Sequence, residues 1–352
     1  MPQVLPGGNN TFVPSHETSG KLTVEYSRNP KSFAHARYTQ LVKSPKNVGY
    51  YMKLSIDEAG RVLDDLGREF LWPDGEDAGS GRDGVSGHEY LPFITQRREY
   101  PFSLGDLAVE QASWDIIASH SARQAQKAMT VRTMEAVKVA TTTANHIASH
   151  VVDVTSLSNS TGSNTGTWAA STSARQDIKR SIFSAIQLML DDTLAAIEVD
   201  DMKLVISSTL AQAISQCQEL VDYLRGSPDA LAQVRGELRD SNPNAEFGLP
   251  KTLYGVEVCV EKTRRVTTKR RATRAVTEVL PAATPFIVAR PGSLEGHYGA
   301  PSFSAITNFM CEEMSTETKH DKDNRRTSGR VVENFKHVVT AAEAMCMFQN
   351  AI

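Results

Sequence analysis

The sequence predicts an α+β fold in which extended and projecting parts surround a modest core, and three observations carry that expectation. A run free of Gly and Pro for more than thirty residues begins at Asp106, DLAVEQASWDIIASHSARQAQKAMTVRTMEAVKVATTT, and is built of good helix formers. Short apolar runs such as MKLVISS and VEVCVE read as strands. Two aromatic-rich strand segments, NVGYYMKLS and YLPFITQRREYPF, flank a stretch containing PDGEDAGSGRDGVSG, whose glycines mark a flexible tip.

Size and composition set the frame. The 352 residues allow two or three domains, and 40% hydrophobic content is enough for an ordinary core. Cys217, Cys259, Cys311 and Cys346 stand singly, with no CxxC and no Cys/His cluster at zinc spacing, which argues against a disulfide framework and suits a reducing cytoplasm. The opening MPQVLPGGNNTFVP lacks a basic and then apolar leader pattern, and no apolar run approaches a membrane span, so a soluble, non-secreted product is expected.

Taken in order, residues 1–45 are polar and broken by Pro2, Pro6, Pro14, Pro30 and Pro45, which reads as an extended arm lying on something else. The hairpin follows. Between Asp57 and Glu89, ten acids face only Arg61, Arg68 and Arg82, so its outer part is acidic. The run from Asp106 reads as one helix, on the order of 50 Å long, with Val109, Ala112, Ile116, Val131 and Met134 as a narrow apolar stripe. SLSNSTGSNTGTWAASTS reads as a polar loop.

RQDIKRSIFSAIQLMLDDTLAAI then places Ile178, Ile182, Ala185 and Met189 on one side of a second helix. TLAQAISQCQELVDYLRG reads as a further helix stopped at Gly226, and PKTLYGVEVCVE as a turn into a strand with Val256, Val258 and Val260 on one face. TPFIVARPG is another apolar strand. At the end, FSAITNFMCEEM and VVENFKHVVTAAEAMCMF are strand-like runs joined by the charged turn STETKHDKDNRRTSGR.

Catalytic patterns are missing from the text of the sequence: there is no Walker loop, no GxGxxG between strand and helix, no GxSxG and no HExxH. His146 and His150 are the one histidine pair at i, i+4 spacing, and no carboxylate or cysteine near them completes a metal shell. The neighbours Asp64 and Asp65, Asp191 and Asp192, and Glu312 and Glu313 point to different faces and read as solvated charge. No catalytic residue, cofactor or metal is expected.

KTRRVTTKRRATR, residues 262–274, holds seven basic side chains and no acid, in a chain of 38 basic and 41 acidic residues. Without this block the remainder has an excess of about ten acids. Three uses compete: nucleic-acid binding, which lacks accompanying aromatics or a groove-sized helix; a solvated loop; and pairing with an acidic surface of a neighbouring subunit, which the excess of acids favours.

In its order of parts the chain resembles the major capsid protein of tailed phages, the Hong Kong 97 fold. The likeness rests on YPFSLGDLAVEQASWDI with QKAMTVRTMEAVK, on LPKTLYGVEVCVE, and on RVVENFKHVVTAAEAMCMF. None of these is a strict motif; order and spacing carry the resemblance. It implies an N-arm at 1–45, an E-loop hairpin at 46–104, a P-domain with a spine helix at 105–202, an A-domain at 203–302 and returning P-domain strands at 303–352. It also implies a structural, non-enzymatic subunit of the virion capsid, assembled in the host cytoplasm into hexamers and pentamers that enclose double-stranded DNA without sequence-specific binding. Scaffolding, portal and decoration proteins are the further partner classes. Only about 45 residues precede the first hairpin strand, so the chain resembles members without an internal scaffolding segment.

Candidate inter-subunit contacts are then Arg264, Arg265, Arg270 and Arg271 in the basic block and Asp74, Glu76 and Asp77 at the hairpin tip, with Ile116 and Met134 packing the spine helix. An encapsulin-like compartment, an enzyme with an unrecognised site and a DNA-binding regulator are the rival classes.

Overall fold

The computed structural model describes residues 33–54, 88–112, 115–157, 166–170, 177–225, 243–269, 271–290 and 304–352. Most of the expected arm, residues 55–87 of the hairpin and Arg270 lie outside these, as do Asp74, Glu76 and Asp77.

Along the chain the strands are β1 (Gln40–Lys43), β2 (Val48–Leu54), β3 (His88–Ile94), β4 (Gln96–Gly105), β5 (Val151–Asp153), β6 (Met202–Ser207) and β7 (Thr252–Leu253). They continue with β8 (Val256–Glu261), β9 (Arg264–Val266), β10 (Val276–Glu278), β11 (Phe286–Ala289), β12 (Ile306–Asp321), β13 (Arg326–Val339) and β14 (Met345–Gln349). They form a four-stranded sheet, β1-β12-β13-β4, a six-stranded sheet, β5-β14-β11-β6-β8-β7, and two ribbons, β2-β3 and β9-β10.

The six-stranded sheet is the centre of the core. Phe286, Ile287, Val288 and Ala289 of β11 are all buried, as are Leu204, Val205 and Ile206 of β6, so both faces are covered. In β8, Cys259 and Glu261 are buried along with the expected Val256, Val258 and Val260. Helix Asp177–Asp192 contributes Ile178, Ile182, Ala185 and Met189 to this core, as its spacing predicts. Strands β5 and β14 join the same sheet, so the expected segments 105–202, 203–302 and 303–352 all contribute to it.

Three local expectations are corrected. The run from Asp106 folds as two helices, Asp106–Gln111 and Ile116–Thr141, because Ala112 is extended and Asp115 starts the second by accepting a hydrogen bond from the Ala118 amide at 2.9 Å. The long helix is therefore about 39 Å. The stretch from Ser208 also divides, into Ser208–Ser215 and Gln218–Arg225. Within the supposed polar loop, Trp168 is fully buried, its ring against Phe348 and its indole N–H donating to Ser181 Oγ at 3.2 Å.

The four-stranded sheet is built on the long β12–β13 hairpin, whose charged turn lies at Lys322–Arg325. Register shifts between Met310 and Ser315 bend β12. Phe102 of β4 faces Gly329 of β13, and its ring fills the space where a Cβ would sit, 2.3 Å from that position. The same device recurs where Phe93 of β3 covers Gly49 of β2.

Candidate assembly surfaces

The β2-β3 ribbon has one covered and one bare face. On the covered side Phe93 stacks on Phe309 with ring centroids 3.9 Å apart, and the Lys53 ammonium meets Glu343 at 2.6 Å. On the other side, strand alternation aligns Val48, Tyr50 and Met52 with Ile94, Pro92 and Tyr90. All six side chains are exposed, Tyr50 at 69% and Tyr90 at 63%. These apolar side chains form one contiguous strip on a single face of the ladder, which makes the strip a candidate interaction surface.

The basic block is not a simple loop: β9 and β10 make it a small antiparallel hairpin. Two of its charges are neutralised locally. Lys262 pairs with Glu246 and lies over the Phe247 ring, and Arg264 reaches Glu278 at 3.2 Å and Ser208 Oγ at the same distance. Ser208 also bonds Glu278, so the root of the hairpin is tied to the start of helix Ser208–Ser215. Arg265, Lys269, Arg271 and Arg274 are exposed and have no ion-pair partner among the described residues. Arg271 sits in the left-handed region at φ 73°, at the outer turn. Between the charges, Val266 and Val276 form an exposed cross-strand apolar pair, at 52% and 45%.

Beneath the long helix the packing differs from the expected stripe. Ile116 is buried against Phe102 and Leu104, while Met134 is only half-buried. The buried face runs through Ala128, which meets Tyr100 and Val331, and through Thr133, Ala136, Val137 and Ala140. Small residues let the helix lie close to β4 and β13.

A charged cluster in this seam is the feature sequence reading missed. Arg132 pairs with Glu333, Arg98 with Glu135, and Lys336 with Glu135 at 3.4 Å. Tyr100 donates its phenolic hydrogen to Glu333 at 3.0 Å; burial first, and then the Glu333 charge, pushes that phenol well above the usual range. Both guanidinium groups lie against the Phe335 ring, at 4.2 and 5.1 Å. His337 is buried beside them. Desolvation holds its imidazole well below the ordinary value, and the neighbouring His35, Arg132, Arg98 and Lys336 act in the same direction. The available signal was Glu333 standing two residues from both Val331 and Phe335, and so on one strand face with them.

His146 and His150 lie beyond the helix end at Thr141, not on it. His146 Nε2 donates to the Ala140 carbonyl at 2.7 Å, and His150 Nδ1 to that of Met345 at 2.8 Å. Asp192, expected to be solvated charge, approaches His150 Nε2 at 2.8 Å. Half-buried Glu312 pairs with Arg97, and exposed Glu313 with Lys43. Among the described residues no group of three or more His, Cys, Asp or Glu is placed to hold a metal, and no helix is long and apolar enough to cross a membrane. Burial pushes the Cys259 and Cys346 thiols up to about 12.

No protein-family model and no curated protein matches the sequence. Solved structures do match the fold over nearly its whole length. A phage-related protein from Bordetella bronchiseptica aligns with a TM-score of 0.59 at 12% identity, covering 91% of this chain and 93% of that one. The asymmetric unit of the bacteriophage PhiM1 mature capsid aligns with a TM-score of 0.53 at 10% identity, covering 99% and 96%. The chain has the phage capsid fold. A structure from Mycobacterium phage Che8 agrees, with a TM-score of 0.54 at 12% identity and coverage of 97% and 98%. The α+β capsid fold of the Hong Kong 97 type thus accounts for the long helix, the long hairpin and the two sheets together, at identities too low for sequence comparison to detect.

Proposed function

We propose that this chain is the repeating subunit of a phage head shell, associating with itself into hexamers and pentamers that enclose double-stranded DNA. The supporting observation is the bare apolar strip Val48, Tyr50, Met52, Tyr90, Pro92 and Ile94, on a ribbon whose other face is already covered within the chain. A two-stranded ribbon is barely stable alone, and a strip of this kind gains free energy when a neighbour removes it from water. In this reading the ribbon is the base of an E-loop, Ile116–Thr141 the spine helix and the six-stranded sheet the A-domain core. The subunit has no catalytic role, and scaffolding, portal and decoration proteins are its other partners.

Size-exclusion chromatography with light scattering, followed by negative-stain microscopy, tests the reading. The parent is expected to form hexamer-sized or larger particles. The variant Tyr50→Asp with Ile94→Asp is expected to stay folded and lose them. A parent that remains a monomer at tens of micromolar, with a scaffold supplied, overturns the proposal.

A further inference from the structure

Strands β6 and β8 run parallel, with Lys203 opposite Glu257 and Ser207 opposite Glu261. The basic hairpin leaves the C-terminal end of β8, while the turn ending in Val199–Asp201 enters the N-terminal end of β6. The two features therefore lie at opposite ends of one sheet, about 17 Å apart along the strands.

They are also chemical complements. The turn exposes Glu198 and Asp200, neither with an ion-pair partner among the described residues, and beside them exposes Leu194 and Ala195. The hairpin exposes Arg265, Lys269, Arg271 and Arg274 around the apolar pair Val266 and Val276. Each side thus offers exposed apolar residues together with exposed charge unpaired among the described residues, acidic at the turn and basic at the hairpin. DNA phosphates would satisfy the cations and leave the valines wet, whereas a protein surface of this composition satisfies both.

We infer that the hairpin of one copy docks on the acidic turn of the next, its arginines pairing with Glu198 and Asp200 and its valines covering Leu194. Complementary patches at opposite ends of a subunit make a head-to-tail contact, and repetition closes a ring when the rotation allows it. The inference rests on the shell reading above and names the contact that would build its rings. Arg264 is outside the contact because Glu278 already holds it.

A charge-reversal cycle in nucleic-acid-free buffer tests it. The hairpin variant carries Arg265→Glu and Lys269→Glu; the turn variant carries Glu198→Lys and Asp200→Lys; a third carries all four. These residues are exposed, so melting temperatures should stay near the parent's. Each two-site variant is expected to raise the concentration needed for half-association about tenfold or more, and the four-site variant to recover most of that loss. Two-site variants that associate like the parent, or a four-site variant no better than either, overturn the contact while leaving the shell reading standing. Hairpin reversal that spares association but abolishes DNA retention also overturns it and assigns the cations to phosphate. A parent that never associates removes the shell reading itself, and the contact with it.

Discussion

Arg132 on the long helix pairs with the carboxylate of Glu333 on β13, which is fully buried. The pair ties the helix to the centre of the four-stranded sheet, with Tyr100 completing the shell of the carboxylate. Removing one partner strands the other charge in a desolvated seam. Arg132→Ala is therefore expected to cost roughly 3–5 kcal/mol of stability. The double change Arg132→Met with Glu333→Leu should recover most of it. Urea denaturation of the three proteins, read by circular dichroism, checks both statements.

The seam should also sense acid. His337 faces His35, Arg98, Arg132 and Lys336 from every element packed on it, with Glu135 and the Phe335 ring alongside, and its folded pKa is lowered. Its contribution is complete above the unfolded value of about 6.5, and is lost as pH falls through that value toward the folded pKa, because the unfolded chain takes up the proton first. His146 is shifted the same way by burial, so the two act together. The lowered Glu257 and Glu343 respond only at more acidic pH. Stability is expected to fall between pH 7 and pH 5.5 by at most about 1.4 kcal/mol per pH unit for each histidine. His337→Gln should flatten the slope; an unchanged slope would show that this histidine titrates freely.

Along the long helix, position decides the cost of a charge. Ala128→Asp puts an unpaired carboxylate against Tyr100 and Val331, and Ile116→Asp places one against Phe102 and Leu104. Each is expected to cost several kcal/mol. Met134→Asp, on a half-buried side chain, should cost about 1 kcal/mol. Equal thermal shifts for all three would contradict the packing face described.

Much of this fold is written locally. The alternation in VEVCVE, the apolar side of Asp177–Asp192 and the charged turn at Lys322–Arg325 announce themselves because each depends on nearby residues. Pairing does not. Nothing in Gln40–Lys43 signals a parallel partnership with Thr307–Met310, which is a property of the assembled sheet. The helix break at Ala112–Asp115 was hidden because no Gly or Pro marks it. The candidate surfaces were half legible. The basic block was plain, but its hairpin form and the local pairing of Lys262 and Arg264 were not. That the strand NVGYYMKLS leaves Val48, Tyr50 and Met52 exposed was not legible, since sequence does not distinguish cover by the same chain from cover by another.

The place of β14 between β5 and β11 bears on the order of events during synthesis. Strands β6, β8 and β11 leave the ribosome while the long β12–β13 hairpin is still to be made, and until Met345–Gln349 emerges the outer side of β11 has no strand to bond. An apolar edge left open in that way pairs readily with the same edge of another nascent chain. The edge of β11 is therefore open to such pairing until late in each chain, and slow elongation through the stretch between Ala289 and Met345 would lengthen that interval.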